Sequence, residues 1–146
     1  MLKQITVFLE NKPGRMEEVT GCLADAGVNL HALSIADTTD FGILRIIVSD
    51  PDRAEAALKE RGFMVKTADV VAAAMGHRPG GLHHILKGLK ALDVSIEYMY
   101  ALTSRHSDHA AIVILSLANQ AASVEKLKAA GFPLLDESFL KQLSES

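Results

Sequence analysis

The chain contains itself twice, and this duplication limits its folds more than any other feature. Lys12-Pro13-Gly14-Arg15-Met16 recurs 66 positions later as Arg78-Pro79-Gly80-Gly81-Leu82. Each copy precedes a stretch with helical period: Met16, Val19, Leu23 and Ala26 in the first, Leu82, Ile85, Leu86, Leu89 and Leu92 in the second. Gly27-Val28-Asn29-Leu30 then aligns with Asp93-Val94-Ser95-Ile96 at the same offset. After a three-residue insertion around Ser104 to His109, Ile43-Leu44-Arg45-Ile46 aligns with Ile112-Val113-Ile114-Leu115, and Leu58 to Phe63 with Leu127 to Phe132.

The duplication implies two units of about 70 residues, each reading strand, helix, strand, strand, helix, strand. In the first, residues 3–9 form a strand, Pro13-Gly14 opens a helix that Gly27 stops, and residues 28–37 and 42–49 form a hairpin with Asp40 in its turn. Asp50 caps a second helix with Pro51 in its first turn and Gly62 at its end, and residues 63–73 return as the fourth strand. The second copy's first strand must overlap residues 68–76, so that segment could close one unit or open the next. Pro133 limits the last strand, and Asp136 reads as the cap of a short final helix over Phe139 to Leu143. The fold class is α+β: two ferredoxin-like βαββαβ units, residues 1–72 and 73–146, paired side by side into a larger antiparallel sheet. A unit this small has a marginal core, so pairing is energetically expected.

Composition excludes several classes. Hydrophobic residues make up 49% of the chain, too many for disorder, while the longest candidate stretch, Ala110 to Ala118, is interrupted by Ser116 and far too short to cross a bilayer. The N-terminus lacks a basic flank and an apolar h-region, so no signal peptide is read. A single cysteine, Cys22, rules out a disulfide framework and fits a reducing, cytoplasmic setting; its helical position suggests a small buried hydrophobe. Residues 1–76 carry 8 basic and 11 acidic side chains and residues 77–146 carry 7 of each, so neither half is a nucleic-acid-binding basic patch.

The run Asn11-Lys12-Pro13-Gly14-Arg15-Met16, a helix, then Ala26-Gly27-Val28-Asn29-Leu30 resembles the ACT domain, an amino-acid-binding regulatory module. His77 to Leu82 followed by Val94-Ser95-Ile96 resembles it again. The resemblance covers residues 3–73 and 70–135. It is similar to stand-alone tandem ACT proteins and, more distantly, to the regulatory small subunit of acetolactate synthase. It implies a non-catalytic sensor of a small free amino acid, with the ligand at the interface between the two units and no cofactor. A helix start offers unpaired N–H groups to the ligand carboxylate, and a side-chain amide or strand carbonyl accepts from its ammonium. Position by position, the resemblance implies two sites. Asn11 and the Gly14 turn would combine with Ser95 and Ile96; His77 and the Gly80-Gly81 turn would combine with Asn29 and Leu30. Arg15 could occlude the first or pair with a carboxylate, whereas Gly81 leaves room, making the second the better-formed pocket. His77 departs from the Asp or Asn usual there, and its charge would depend on pH.

Other residues carry less. His83 and His84 point to different helix faces, His106 and His109 fall in a hairpin loop, and no pair has the i, i+4 spacing of a helical zinc site. Tyr98 and Tyr100 face one side of a strand opposite the small Ala32 and Ser34 positions, first read as packing and second as a lid. Asp37, Asp40, Asp50 and Asp52 flank turns or a helix start, and Gly80-Gly81 lacks the Lys-Ser/Thr of a phosphate loop. With no nucleophile–base or metal constellation, an enzyme is disfavoured, although the fold alone hosts many chemistries. Open strand edges make a homodimer the expected assembly. The alternative function is docking onto an amino-acid biosynthetic enzyme such as acetolactate synthase, with little ligand binding of its own.

Overall fold

The computed structural model describes residues 1–38, 40–103 and 111–144. The chain forms β1 (Leu2–Glu10), α1 (Arg15–Asp25), β2 (Leu30–Asp37), β3 (Phe41–Val48), α2 (Pro51–Glu60) and β4 (Met64–Met75). It continues with α3 (Gly81–Ala91), β5 (Ile96–Thr103), β6 (Ala111–Leu117), α4 (Gln120–Ala129), β7 (Leu134–Leu135) and α5 (Glu137–Ser144). It divides into two compact units, Lys3–Ala68 and Asp69–Ser146 with Met1–Leu2. The contested segment therefore does both jobs. β4 is one strand of 12 residues, and the division falls inside it.

In the first unit the strands run β2-β3-β1-β4. In the second they run β5-β6-β4, with β7 on the other side of β4. Both orders are the split βαββαβ plan. On β1 the alternation expected of a half-covered strand holds: Ile5, Val7 and Leu9 face the helices and join Val19, Cys22 and Leu23 of α1 and Ala54 and Leu58 of α2. The second core repeats this with Val71, Ala73, Val113 and Leu115 beneath Ile85, Leu89, Val124 and Leu127. β6 is apolar from Ala111 to Leu115 because both its faces are buried there: Ile112 and Ile114, on the face away from that core, have no exposed area. Cys22 is the buried small hydrophobe expected, 2% exposed.

Helix boundaries follow local chemistry. Asp50 accepts a hydrogen bond from the Arg53 N–H and Pro51 occupies the first turn of α2. Asp136 likewise accepts from the Ser138 N–H and starts α5. Helices α1 to α4 all stop with a bond from an N–H to the carbonyl five residues back: Val28 to Leu23, Phe63 to Leu58, Val94 to Leu89 and Phe132 to Leu127. The residue before that N–H is left-handed, a glycine three times and Asp93, at φ 57°, once.

Candidate functional site

Helices α1, α3 and α4 start without a side-chain cap, and the first two of these follow a Pro-Gly turn. Gly14 precedes α1 at φ 87° and Gly80 precedes α3 at φ 86°, and among the described residues no side chain bonds the first-turn N–H groups of either helix. Proline ahead of a left-handed glycine makes a tight turn that leaves those groups facing outward. In α1 the first intrahelical bond runs from the Glu18 N–H to the Gly14 carbonyl; in α3 it runs from His84 to Gly80. The N–H groups of Met16 and Glu17, and of Leu82 and His83, precede those bonds. Asn11, His77, Gly14 and Gly80 are all exposed on these turns.

Asn29 and Ser95 are also exposed, each one residue before an edge strand. Three of their four backbone groups make hydrogen bonds. The Asn29 carbonyl accepts from the Ser49 N–H and its own N–H donates to Ser49 Oγ, both at 2.9 Å. The Ser95 carbonyl accepts from the Ala118 N–H at 3.0 Å. Leu30 and Ile96, next in line, pack their side chains onto the cores of their own units. Sequence reasoning missed a bulge at the start of each of these edge strands. The register of β2 against β3 shifts between Leu30 and Ala32, and that of β5 against β6 between Ile96 and Tyr98. His31 and Glu97, 66 positions apart, thus occupy matching bulges. Burial lowers the pKa of His31 and favours its neutral imidazole. Ser116 Oγ lies 3.4 Å from the Glu97 carboxylate.

The two turns differ as their sequences do. Arg15 pairs with two carboxylates of its own unit, 3.1 Å to Glu10 and 2.7 Å to Glu18. It also lies 5.4 Å over the Phe63 ring. Hydrogen bonds from Lys12 and then Arg15 hold the Glu10 carboxyl below its ordinary pKa. A cleft of about 350 Å³ lies beside this cluster, lined by Phe8, Glu10, Arg15, Phe41, Phe63 and Met64.

Gly81 tells a different story from the one its sequence suggested. It is buried, and an added Cβ would stand 1.9 Å from the Gly76 carbonyl oxygen. The space a side chain would take is filled by backbone, so Gly81 permits a close chain crossing rather than leaving room at the turn. A larger cleft of about 490 Å³ lies beyond it, along α3.

Of the remaining candidates, Tyr98 and Tyr100 are half-buried and stand opposite Ser116 and Ile114 in the β5–β6 register. His106 and His109 lie outside the described residues. Among the described residues no group of three His, Cys, Asp or Glu side chains is placed to hold a metal ion, and no helix is long and apolar enough to cross a membrane.

Fold and turns together define a duplicated α+β protein of the ferredoxin-like class, with the same uncapped Pro-Gly helix start in each copy. The profile of the ACT domain pair family matches residues 1–139, and the chain belongs to that family. The crystal structure of protein BT0572 from Bacteroides thetaiotaomicron is 45% identical to it, with the match covering 97% of this chain and 96% of that one at a TM-score of 0.86. The ligand-free regulatory subunit of aspartate kinase from Thermus thermophilus is 16% identical, with 88% and 91% covered and a TM-score of 0.57. That from Thermus flavus is 15% identical, with the same coverage and a TM-score of 0.56. These last two share the fold. Among proteins with curated descriptions none matches the chain.

Proposed function

We propose that this ACT domain pair is a non-catalytic, cytoplasmic sensor of a small free amino acid, whose occupancy regulates a partner. The observation that carries this reading is the repeated turn. Two copies of Pro-Gly start a helix with unsatisfied N–H groups and no capping side chain, the arrangement a carboxylate complements. The side-chain amide of Asn29 and the hydroxyl of Ser95, both exposed, are the candidate partners for the ammonium. Binding can shift how the protein packs only through differential affinity for two states.

A thermal-shift screen of the full chain against the twenty amino acids tests this. A ligand at about 100 times its Kd adds roughly 2.7 kcal/mol. In a protein of this size that raises the midpoint by several degrees. Flat curves for all twenty reject the sensor.

A second reading, docking onto an amino-acid biosynthetic enzyme, is favoured by edge strand β2. Leu33 and Ile35 there are 47% and 51% exposed, although their partners Ile46 and Leu44 are core residues. The same edge suits a second copy of the chain. Analytical ultracentrifugation of wild type and Leu33→Lys/Ile35→Lys separates the cases: a dimer lost in the variant assigns the edge to self-association. A wild-type monomer that co-purifies with an enzyme, while the variant does not, assigns it to docking.

A further inference from the structure

The groove between the first helix and the end of the second is spanned by the Asp25–Arg61 ion pair in one unit, with an Arg15 cluster at its mouth, and has neither in the other. In the first unit Arg15 at the start of α1 pairs with Glu10 and Glu18, and Asp25 at its end pairs with Arg61 beyond α2 at 2.6 Å. The repeat offset is 66 residues before the insertion and 69 after it, which matches each bridging residue to a counterpart. Gly76 stands for Glu10, Gly81 for Arg15, Ala91 for Asp25 and Ala130 for Arg61. Glu18 becomes His84. The ion pair and the cluster are both replaced by glycine or alanine, and all four positions line the cleft of about 490 Å³, the volume beside Gly81 itself being taken by the Gly76 backbone.

What remains in that cleft has one sign of charge. Arg78 and Lys87 are its charged residues, with the imidazole of His84 between them in sequence, and among the described residues no Asp or Glu lines it; the counterparts of Arg78, His84 and Lys87 are Lys12, Glu18 and Gly21. Among the described residues none of the three makes an ion pair. The walls are apolar: Met75, Ile85, Phe132 and Pro133. Gly88 lets the Phe132 ring lie against α3, for a Cβ there would come within 3.1 Å of it. His84 and Lys87 are three apart on the helix and share a face. Unpaired cations beside low-dielectric walls attract an anion more strongly than the same groups in open water. Apolar walls reward a ligand body that sheds water.

We propose that this cleft binds a small organic anion with an apolar body, an aryl or alkyl carboxylate or phosphate. Its charge lies against Arg78 and Lys87 and its body on Ile85 and Phe132. The cleft shares Gly81 with the helix-start turn of the amino-acid reading, but its ligand is held by the side chains of Arg78 and Lys87 rather than by the first-turn N–H groups of α3.

Calorimetric titration of the full chain with phenylacetate and phenyl phosphate tests it, with benzyl alcohol and inorganic phosphate as probes that each lack one half. At least one aryl anion binds, and both half-probes are about tenfold weaker or worse, a step in Kd that one lost charge-assisted contact produces. The stronger aryl anion identifies the head group. Arg78→Gln and Lys87→Gln each weaken binding about tenfold on the same grounds. Ala91→Asp/Ala130→Arg, which restores a first-unit bridge, abolishes it, while Glu18→Gln in the first unit changes nothing. Absence of binding by either aryl anion overturns the proposal. So does affinity indifferent to Arg78→Gln and Lys87→Gln, or inorganic phosphate binding as tightly as phenyl phosphate.

Discussion

Replacing Gly81 by alanine has a sign that depends on whether the Gly76 backbone crosses where the structure places it. Gly81 begins α3 with helical backbone, so alanine there relieves chain entropy and would stabilise by up to about 1 kcal/mol if the space were free. The added Cβ stands 1.9 Å from the Gly76 oxygen and 3.0 Å from its carbon. Even weak C–H···O contacts keep roughly 3.3 Å, so more than an ångström must come from moving backbone rather than a flexible side chain. Overpacking of that kind costs about 3 kcal/mol, the upper end of its usual range. Net destabilisation is therefore about 2 kcal/mol, the clash less the helical gain. Gly14→Ala probes a different term: nothing lies within 4 Å, and the penalty is the left-handed φ of 87°. It costs about 1–2 kcal/mol. Urea unfolding followed by far-UV circular dichroism measures both. If Gly81→Ala stabilises the protein, the close crossing at Gly76 is wrong.

Other perturbations have equally definite outcomes. Asp93 holds a left-handed φ of 57° where Gly27, Gly62 and Gly131 serve the other helices, so thermal melts of Asp93→Gly should rise. The gain is about 0.5–1 kcal/mol. Because the Glu10 pKa is lowered in the folded protein, its stabilising contribution is present above the unfolded carboxyl value and lost as pH falls through the folded one. An NMR titration should place Glu10 below ordinary glutamate and closer to it in Arg15→Gln; an unmoved titration would remove Arg15 as a cause. His31 is depressed by burial, so stability declines as pH drops below its unfolded value of about 6.5. His31→Gln should flatten that decline in denaturation midpoints measured from neutral to mildly acid pH; an unchanged slope refutes it.

The elements were legible because their signals are local. The Asp50-Pro51 start needs only neighbouring residues, as does the helical stripe of Leu82, Ile85 and Leu89. The segment before Gly76 resisted assignment for a physical reason: one continuous strand completes one sheet order and begins another. The site was less legible. Arg15 could be expected to find a carboxylate, and Glu18 one turn away is a local partner, but the Asp25–Arg61 pair joins residues 36 apart and exists only once the helices pack. Gly81 misled because its neighbour, the Gly76 carbonyl, is close only in space. The bulges at His31 and Glu97 leave no compositional trace, since a register shift is a property of two strands rather than one.

An amide-resolved NMR titration with the amino acid that most raises the melting point goes straight to the helix starts. The account predicts that the largest shifts fall on the backbone N–H groups of Met16 and Glu17, or of Leu82 and His83, as a carboxylate settles on them. Saturable binding that leaves all four amides unmoved would contradict it.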